Sequence, residues 1–307
     1  MSTTTVSVPV VEDPSPDGLT PAQADAFTEA GLLIVRNLIA PAELEQLRAE
    51  TMTLVEQANA GTDDPDFFYR RHPTTGQDVP FRIEYVAHRS AAARALLGHP
   101  FLLGTAQRLQ GPNFVPTWDS MVFKNAGAAA AIPWHRDSAA HLSGDAPVFN
   151  IDIYLDDADE STCLWGVPGT HKLPEPEADA LVAQLLEDGY AQTDGGKPLP
   201  MQAGDVLLHD VLAVHGSPAA EHVPLRRVLY YEFRPAELEA AVGPHTPDYL
   251  PLKQQVVLAA LQQRAEAPYA EGETPFAYRP TGEFAITSVA EVEDVAFRVA
   301  HEDHWRS

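Results

Sequence analysis

Residues 150–156 read Asn-Ile-Asp-Ile-Tyr-Leu-Asp, a short alternating stretch with the period of a β-strand. Because successive side chains of a strand point to opposite faces, Asn150, Asp152 and Tyr154 share one face and apolar side chains share the other. Further short blocks that alternate or run apolar lie between turns at residues 119–124, 205–209 and 226–233. This pattern predicts a jelly roll over about residues 114–234. The polar faces of its strands would either line a cavity or meet solvent.

Helical patterns precede this segment and interrupt it. Thr20 and Gln23 predict a capping box for a helix that ends at Gly31. Pro41 begins a longer helix that ends at Gly61. Its apolar stripe consists of Leu44, Leu47, Leu54 and Ala58. The fold class expected is α+β, a jelly roll with N-terminal and inserted helices packed outside the barrel.

The same reading divides the chain into a tail and one domain. Residues 1–18 contain no helical period and are expected to be a flexible tail. The single domain is expected to span residues 19–307. Within it we expect the jelly-roll core, a helical lid insertion and a C-terminal extension, at about residues 114–234, 172–200 and 235–307.

A possible metal site begins at residues 133–137, which read Pro-Trp-His-Arg-Asp. In extended backbone His135 and Asp137 share a face and could bind one divalent ion. The spacing alone is weak evidence, because residues 301–303, His-Glu-Asp, repeat it without supporting context. A histidine from a neighbouring strand could complete a triad. His215, within Val-His-Gly-Ser, is favoured over His209, which would then support a ligand or pack.

An arginine on the next strand could serve the same cavity. Arg226 follows His215 by eleven residues, and a planar guanidinium binds a carboxylate through two parallel hydrogen bonds. Arg227 is the alternative, because adjacent strand residues point to opposite faces. A register slip of one residue would reverse the assignment.

These motifs resemble those of the phytanoyl-CoA dioxygenase (PhyH) family of Fe(II)/2-oxoglutarate-dependent oxygenases. The matching stretches are residues 134–137, 163–172 and 215–217, together with Arg226. The resemblance spans roughly residues 19–233. It departs from the family at Thr162, where a glycine usually precedes the Cys163 stretch.

The resemblance implies a cupin-like double-stranded β-helix and an enzyme that uses Fe(II), 2-oxoglutarate and O2. The implied metal ligands and catalytic residues are His135, Asp137 and His215. Arg226 and Ser217 would bind the far carboxylate of 2-oxoglutarate, and Met121 would lie against this cosubstrate. The reaction expected is hydroxylation, or else epimerisation, desaturation or ring closure, of a secondary metabolite or modified amino acid. Asp137 argues against a halogenase, in which a small residue replaces this carboxylate.

Composition limits the partners. The 307 residues include 20 Lys and Arg against 44 Asp and Glu, a net charge of -24. Nucleic acid and anionic membranes would be repelled, so a neutral or cationic small molecule is favoured over an acyl-CoA. The single cysteine excludes an intrachain disulfide. No apolar run approaches the roughly 20 residues of a membrane-spanning helix, so a cytoplasmic protein is expected. The oligomeric state does not follow from the sequence.

Two other classes of function compete with the oxygenase. A serine hydrolase is disfavoured, because the sequence has no Gly-x-Ser-x-Gly elbow. A non-oxidative cupin-type metal isomerase or small-molecule binding protein would share the metal ligands. It would not convert 2-oxoglutarate to succinate, and that difference separates the two readings.

Overall fold

The computed structural model describes residues 6–304 except residues 73–74, 126–127, 139–145, 191–194, 222–223 and 244. The helices are α1 (Pro21–Ala30), α2 (Pro41–Ala60), α3 (Val86–Arg89), α4 (Ala91–Leu97), α5 (Pro100–Gln110), α6 (Glu175–Asp188), α7 (Ala236–Val242) and α8 (Tyr249–Ala265). The strands are β1 (Val10–Val11), β2 (Leu32–Val35), β3 (Phe67–Arg71), β4 (Asp78–Glu84), β5 (Phe114–Lys124), β6 (Ala128–Ala129), β7 (Ile132–His135), β8 (Phe149–Tyr154), β9 (Leu164–Gly166), β10 (Lys197–Leu199), β11 (Val206–Asp210), β12 (His215–Ser217), β13 (Ala220–Glu221) and β14 (Arg226–Pro235).

Two sheets carry most of the strands. The larger has the order β1-β2-β11-β8-β14-β5-β4-β3, and the smaller has the order β10-β9-β12-β7. From β5 onward the chain crosses between them: β5, β8, β11 and β14 belong to the larger sheet, and β7, β9, β10 and β12 to the smaller. The sheets pack together through buried side chains from both, which include Leu32, Tyr154, Leu164, Leu199, Leu207 and Val228.

Strand β8 shows how the sequence separates the two faces of the larger sheet. Phe149, Ile151 and Ile153 belong to the main core, which the larger sheet shares with helices. Tyr154 packs between the sheets, and Asn150 lines a cavity there. The polar face of β8 therefore looks inward rather than toward solvent.

The helices cover the other face of the larger sheet, and the α+β class is confirmed. Thr20 and Gln23 form the expected capping box, and Gly31 ends α1 in the left-handed conformation with φ 69°. The predicted stripe of α2 is buried in the main core, together with side chains of α5 and α8. No described helix is both long enough and apolar enough to cross a membrane.

The flexible tail expected over residues 1–18 is wrong for residues 10–18. Val10 and Val11 pair in parallel with Ile34 and Val35 of β2. The side chain of Val11 is 5% exposed, so burying it stabilises this short edge strand. The backbone at residues 17–18 also lies close against Gly104 of α5.

The insertion at residues 172–200 does not cover the cavity with any of its described residues. Its helix α6 packs against β7 instead, where Leu185 meets Trp134. Tyr190 stacks on the same tryptophan at 4.8 Å and donates a hydrogen bond to Ile132 O at 2.6 Å. The insertion expected to be a lid therefore supports the strand that carries His135.

The C-terminal extension returns to the cavity. Helix α8 packs on α4 and β5, and Phe297 and Val299 join the main core. Beyond them, His301 and Glu302 line the cavity. Glu302 is exposed, which marks this as the outer end.

Candidate active site

Two histidines meet across neighbouring strands of the smaller sheet. His135, the last residue of β7, is the direct partner of His215, the first residue of β12, and their ring centroids are 4.3 Å apart. The glycine after His215 is required by this pairing. A Cβ at Gly216 would lie 2.9 Å from Ile132 O and 3.1 Å from Trp134 N.

Asp137 completes the group two residues beyond the end of β7. Its backbone N–H donates to Val211 O at 2.9 Å, which fixes the turn. Its Oδ1 lies 3.3 Å from His135 Nε2 and 3.8 Å from His215 Nε2. The structure thus brings together the three residues proposed as metal ligands, and their donor atoms all lie within 4.8 Å of one another.

Backbone carbonyls set the tautomers of both histidines. His135 Nδ1 lies 2.8 Å from Pro133 O, and His215 Nδ1 lies 2.9 Å from Ala213 O. An Nδ1–H that donates to a carbonyl leaves the lone pair on Nε2, the atom that faces Asp137. Burial and the neighbouring His135 lower the pKa of His215 to about 3, which keeps this ring neutral.

His209 contacts Asp137 and does not belong to the group of converging donor atoms. Its Nε2 lies 3.0 Å from Asp137 Oδ2, and its Nδ1 lies 2.8 Å from Asp152 Oδ2. Burial alone would lower the pKa of His209, but the two carboxylates raise it to about 10, so both nitrogens donate. Asn150 Nδ2 also donates to Asp137 Oδ2, at 3.2 Å.

The charge on Asp137 is secured by its neighbours. Burial alone would raise the pKa of this carboxyl, but the surrounding histidines, among them the protonated His209, hold it well below its usual range. Its Oδ2 is occupied by hydrogen bonds, and its Oδ1 is turned toward the two Nε2 atoms. One carboxylate oxygen and two neutral imidazoles are the donor set of a non-haem iron oxygenase.

The inner end of the cavity holds a buried cation. Arg226 is 2% exposed, lines the cavity and donates from Nε and one Nη to Thr162 O, at 3.1 and 2.7 Å. Among the described residues, no carboxylate lies within ion-pair distance of it. A buried guanidinium without a counter-ion is costly, and an anionic ligand would supply one. Arg227 points to the opposite face and pairs with Asp156 at 2.8 Å.

Ser217 and Met121, both expected to contact the cosubstrate, lie on different sides of the sheets. Ser217 lines the cavity, and its buried hydroxyl has no hydrogen-bond partner among the described residues. Met121 lies in the main core, whereas Ser120 and Val122, its neighbours on β5, line the cavity. The expectation that Met121 contacts the cosubstrate is therefore wrong by one residue, because strand neighbours face opposite sides.

Lys124 was missed by the sequence reasoning. It is the strand partner of Arg226 and donates to Pro218 O at 2.6 Å. Burial and the nearby Arg226 lower the pKa of Lys124 to about 7. It lies two residues beyond Val122 on the same face of β5, so the strand period would have found it once the facing side was known.

The cavity has a volume of about 450 Å³. Its outer half is lined by charged and aromatic side chains that the sequence did not connect with the site: Arg70, Phe81, Arg82, Trp118, Glu232, Arg234, His301 and Glu302. They come from β3, β4, β5, β14 and the C-terminal extension. This outer half offers space for a small molecule next to the triad.

The family model described as phytanoyl-CoA dioxygenase (PhyH) matches residues 27–222. The chain belongs to this family. The resemblance expected from the motifs is confirmed, and the matched residues include the triad. Membership of this family makes the chain an oxygenase.

Relatives and solved structures agree. A methylphosphonate hydroxylase from Gimesia maris is 28% identical over 224 residues, which cover 70% of this chain and 80% of that protein. The crystal structure of AviO1 from Streptomyces viridochromogenes Tue57 is 32% identical with a TM-score of 0.58, over 69% of this chain and 93% of the other. EctD from S. alaskensis, crystallised with 2-oxoglutarate and 5-hydroxyectoine, is 17% identical with a TM-score of 0.56, over 74% and 80%. This last similarity shows a shared fold.

Proposed function

We propose that the protein is a dioxygenase that hydroxylates a small molecule with Fe(II), 2-oxoglutarate and O2. The observation that carries the proposal is the buried Arg226, which lines the same cavity as His135, Asp137 and His215 and has no carboxylate partner among the described residues. A dicarboxylic keto acid would satisfy both groups, because one end would bind the ion and the far carboxylate would pair with the guanidinium.

The residues present fit these groups. His135, Asp137 and His215 would hold Fe(II) through Nε2, Oδ1 and Nε2. When bound, the iron supplies the chemistry that couples oxidative decarboxylation of 2-oxoglutarate to oxidation of a substrate C–H bond. The orphaned hydroxyl of Ser217 would donate to the far carboxylate beside Arg226.

The other side chains prepare the site before any ligand arrives. His209 and Asn150 fix the plane of the Asp137 carboxylate, and the carbonyls behind His135 and His215 fix their rings. Preorganisation of this kind removes the ordering cost when the ion binds. The outer half of the cavity would hold the substrate with its reacting carbon toward the triad.

The finer assignments belong to the same proposal. The crossing of successive strands between the sheets supports a double-stranded β-helix, cupin-like, with residues 19–307 as one domain. Epimerisation, desaturation and ring closure remain open outcomes of the same chemistry. The preference for a neutral or cationic substrate stays a prediction. A cytoplasmic location also stays a prediction.

The test is iron-dependent formation of succinate from 2-oxoglutarate in the purified full-length protein, with O2 consumption followed in parallel. Candidate substrates are screened for stimulation of succinate release. Asp137→Ala should abolish it, because the anionic ligand is lost. The control is Asp63→Ala at an exposed position. If the iron-loaded protein neither binds 2-oxoglutarate nor forms succinate with any substrate, the non-oxidative isomerase or binding protein becomes the better description.

A further inference from the structure

A second set of metal-binding side chains lies beside the cavity, outside the residues that the family model matches. Glu239 belongs to α7, His245 follows that helix, and His301 precedes a short 3-10 helix at Glu302–His304. Their donor atoms lie within 4.8 Å of one another. The spacing His301-Glu302-Asp303 drew attention in the sequence, but Asp303 pairs with Arg298 at 2.7 Å and takes no part.

The three donor atoms converge on one point. His301 Nε2 lies 2.7 Å from Glu239 Oε1 and 2.9 Å from His245 Nε2. His245 Nε2 lies 3.6 Å from Glu239 Oε1. A circle through these atoms has a radius of about 1.8 Å, so an ion about 2.0–2.1 Å from each would lie about 0.9 Å out of their plane. Those are the bond lengths that Zn²⁺ makes with imidazole and carboxylate ligands.

Hydrogen bonds among these three atoms explain their short distances less well than a shared ion does. His245 Nδ1 lies 3.2 Å from Glu239 O, and an Nδ1–H that donates there leaves the lone pair on His245 Nε2. A proton on His301 Nε2 would then have to serve two acceptors at once, Glu239 Oε1 and His245 Nε2. A divalent ion satisfies all three atoms together.

The surroundings orient these ligands. Arg234 approaches the other carboxylate oxygen of Glu239 at 3.4 Å, which keeps the group ionised and leaves Oε1 facing the histidines. The ring of Tyr249 stacks on His245 at 4.8 Å and restricts its rotation. Hydrogen bonds and packing behind the ligands are usual at structural metal sites.

We propose that Glu239, His245 and His301 bind one Zn²⁺ ion that fastens the C-terminal segment to α7. His301 and the adjacent Glu302 line the cavity, so the ion fixes the position of this wall. The ligands come from an α-helix, the loop after it and a segment more than fifty residues further along the chain. The site is independent of the function proposed above, because it shares no residue with the catalytic triad.

The experiment measures zinc in the full-length chain with the catalytic triad disabled by His135→Ala and His215→Ala. After incubation with zinc and removal of the excess, we expect about one ion per chain by mass spectrometry of the metal. Adding His245→Ala should reduce this to less than about 0.2 ion per chain. His304→Ala is the matched control, because its Nε2 faces Asp248 at 3.8 Å and it should keep the zinc.

A second measurement uses the same chain with the disabled triad. Zinc should raise its melting temperature and protect its C-terminal segment from limited proteolysis, and adding Glu239→Gln should remove both effects. The proposal is overturned if the chain with the disabled triad binds no zinc and shows no such protection. It is equally overturned if His304→Ala loses the ion while His245→Ala keeps it.

Discussion

Replacing Arg226 with glutamine should weaken the binding of 2-oxoglutarate far more than it weakens the fold. The guanidinium is 2% exposed, and two of its N–H groups are used by Thr162 O. The rest of its charge is available to a ligand in the cavity. Removing one partner of a buried charge pair costs about 2–5 kcal/mol. We expect the lower part of that range, about 30- to 300-fold in Kd, because the ion end of the cosubstrate would keep its own contacts.

The assay is calorimetric titration of 2-oxoglutarate into the metal-loaded protein without O2. The chain offers a matched control in the adjacent residue. Arg227 points to the opposite face and holds Asp156 through two hydrogen bonds of 2.8 and 2.9 Å. Arg227→Gln should lower the free energy of unfolding by about 1–3 kcal/mol and leave the affinity for 2-oxoglutarate within about twofold.

One result refutes the reasoning directly. If a folded Arg226→Gln protein keeps its affinity for 2-oxoglutarate within about threefold, the buried cation does not serve the cosubstrate. If Arg227→Gln weakens the binding of 2-oxoglutarate instead, Arg227 rather than Arg226 faces the cavity.

Two further changes test the site and the fold. Ser217→Ala should weaken 2-oxoglutarate binding by about three- to tenfold without lowering the melting temperature, because the buried hydroxyl has no partner to lose among the residues that the structure describes. An unchanged Kd in the same titration would remove Ser217 from the site. Burial lowers the pKa of His99 to about 3, so between pH 6.5 and 3 the unfolded chain binds a proton that the folded chain does not, and stability falls as the pH falls. This group should cost about 2 kcal/mol of stability between pH 7 and pH 5. His99→Asn keeps an acceptor for the Phe101 N–H. Urea unfolding at pH 7 and pH 5 should show that the variant loses about 2 kcal/mol less stability than the parent protein. An equal loss in both proteins would contradict the assignment.

Only part of the triad could be predicted from local spacing. His135 and Asp137 are two residues apart, whereas His215 lies eighty residues further along the chain and was added by the family resemblance. Its strand pairs with the strand of His135 in the structure. Strand period predicts only that Arg226 and Arg227 point to opposite faces. The spacing from His215 favoured Arg226 for the cavity, and the structure places Arg226 there.

Met121 and Lys124 show where this reasoning fails. Strand β5 is buried on both faces, so hydropathy does not reveal which side chains look into the cavity. Met121 is fully buried in the main core, and Lys124 is buried beside its strand partner Arg226. Only the pairing of β5 with β14 fixes the phase, and that pairing is tertiary information.

The outer half of the cavity was out of reach for a different reason. Arg70 and Arg82 come from a hairpin before the jelly-roll segment, and His301 and Glu302 come from the end of the chain. No local spacing links them. They meet because α8 packs on β5 and directs the following residues back over the larger sheet.

The burial of His209 and Asp152 is explained by their effect on Asp137. Burying a histidine and a carboxylate in the space between two sheets costs desolvation that an apolar pair would avoid. In return, His209 carries the hydrogen bond that fixes Asp137 Oδ2, so the larger sheet orients a ligand that stands on a loop after the smaller one. A carboxylate on a loop has a rotatable side chain, and an unfixed one would present either oxygen to the ion. The polar face of β8 therefore serves to position Asp137, and the contact of His209 with Asp137 ties the larger sheet to the loop at which the ion would bind.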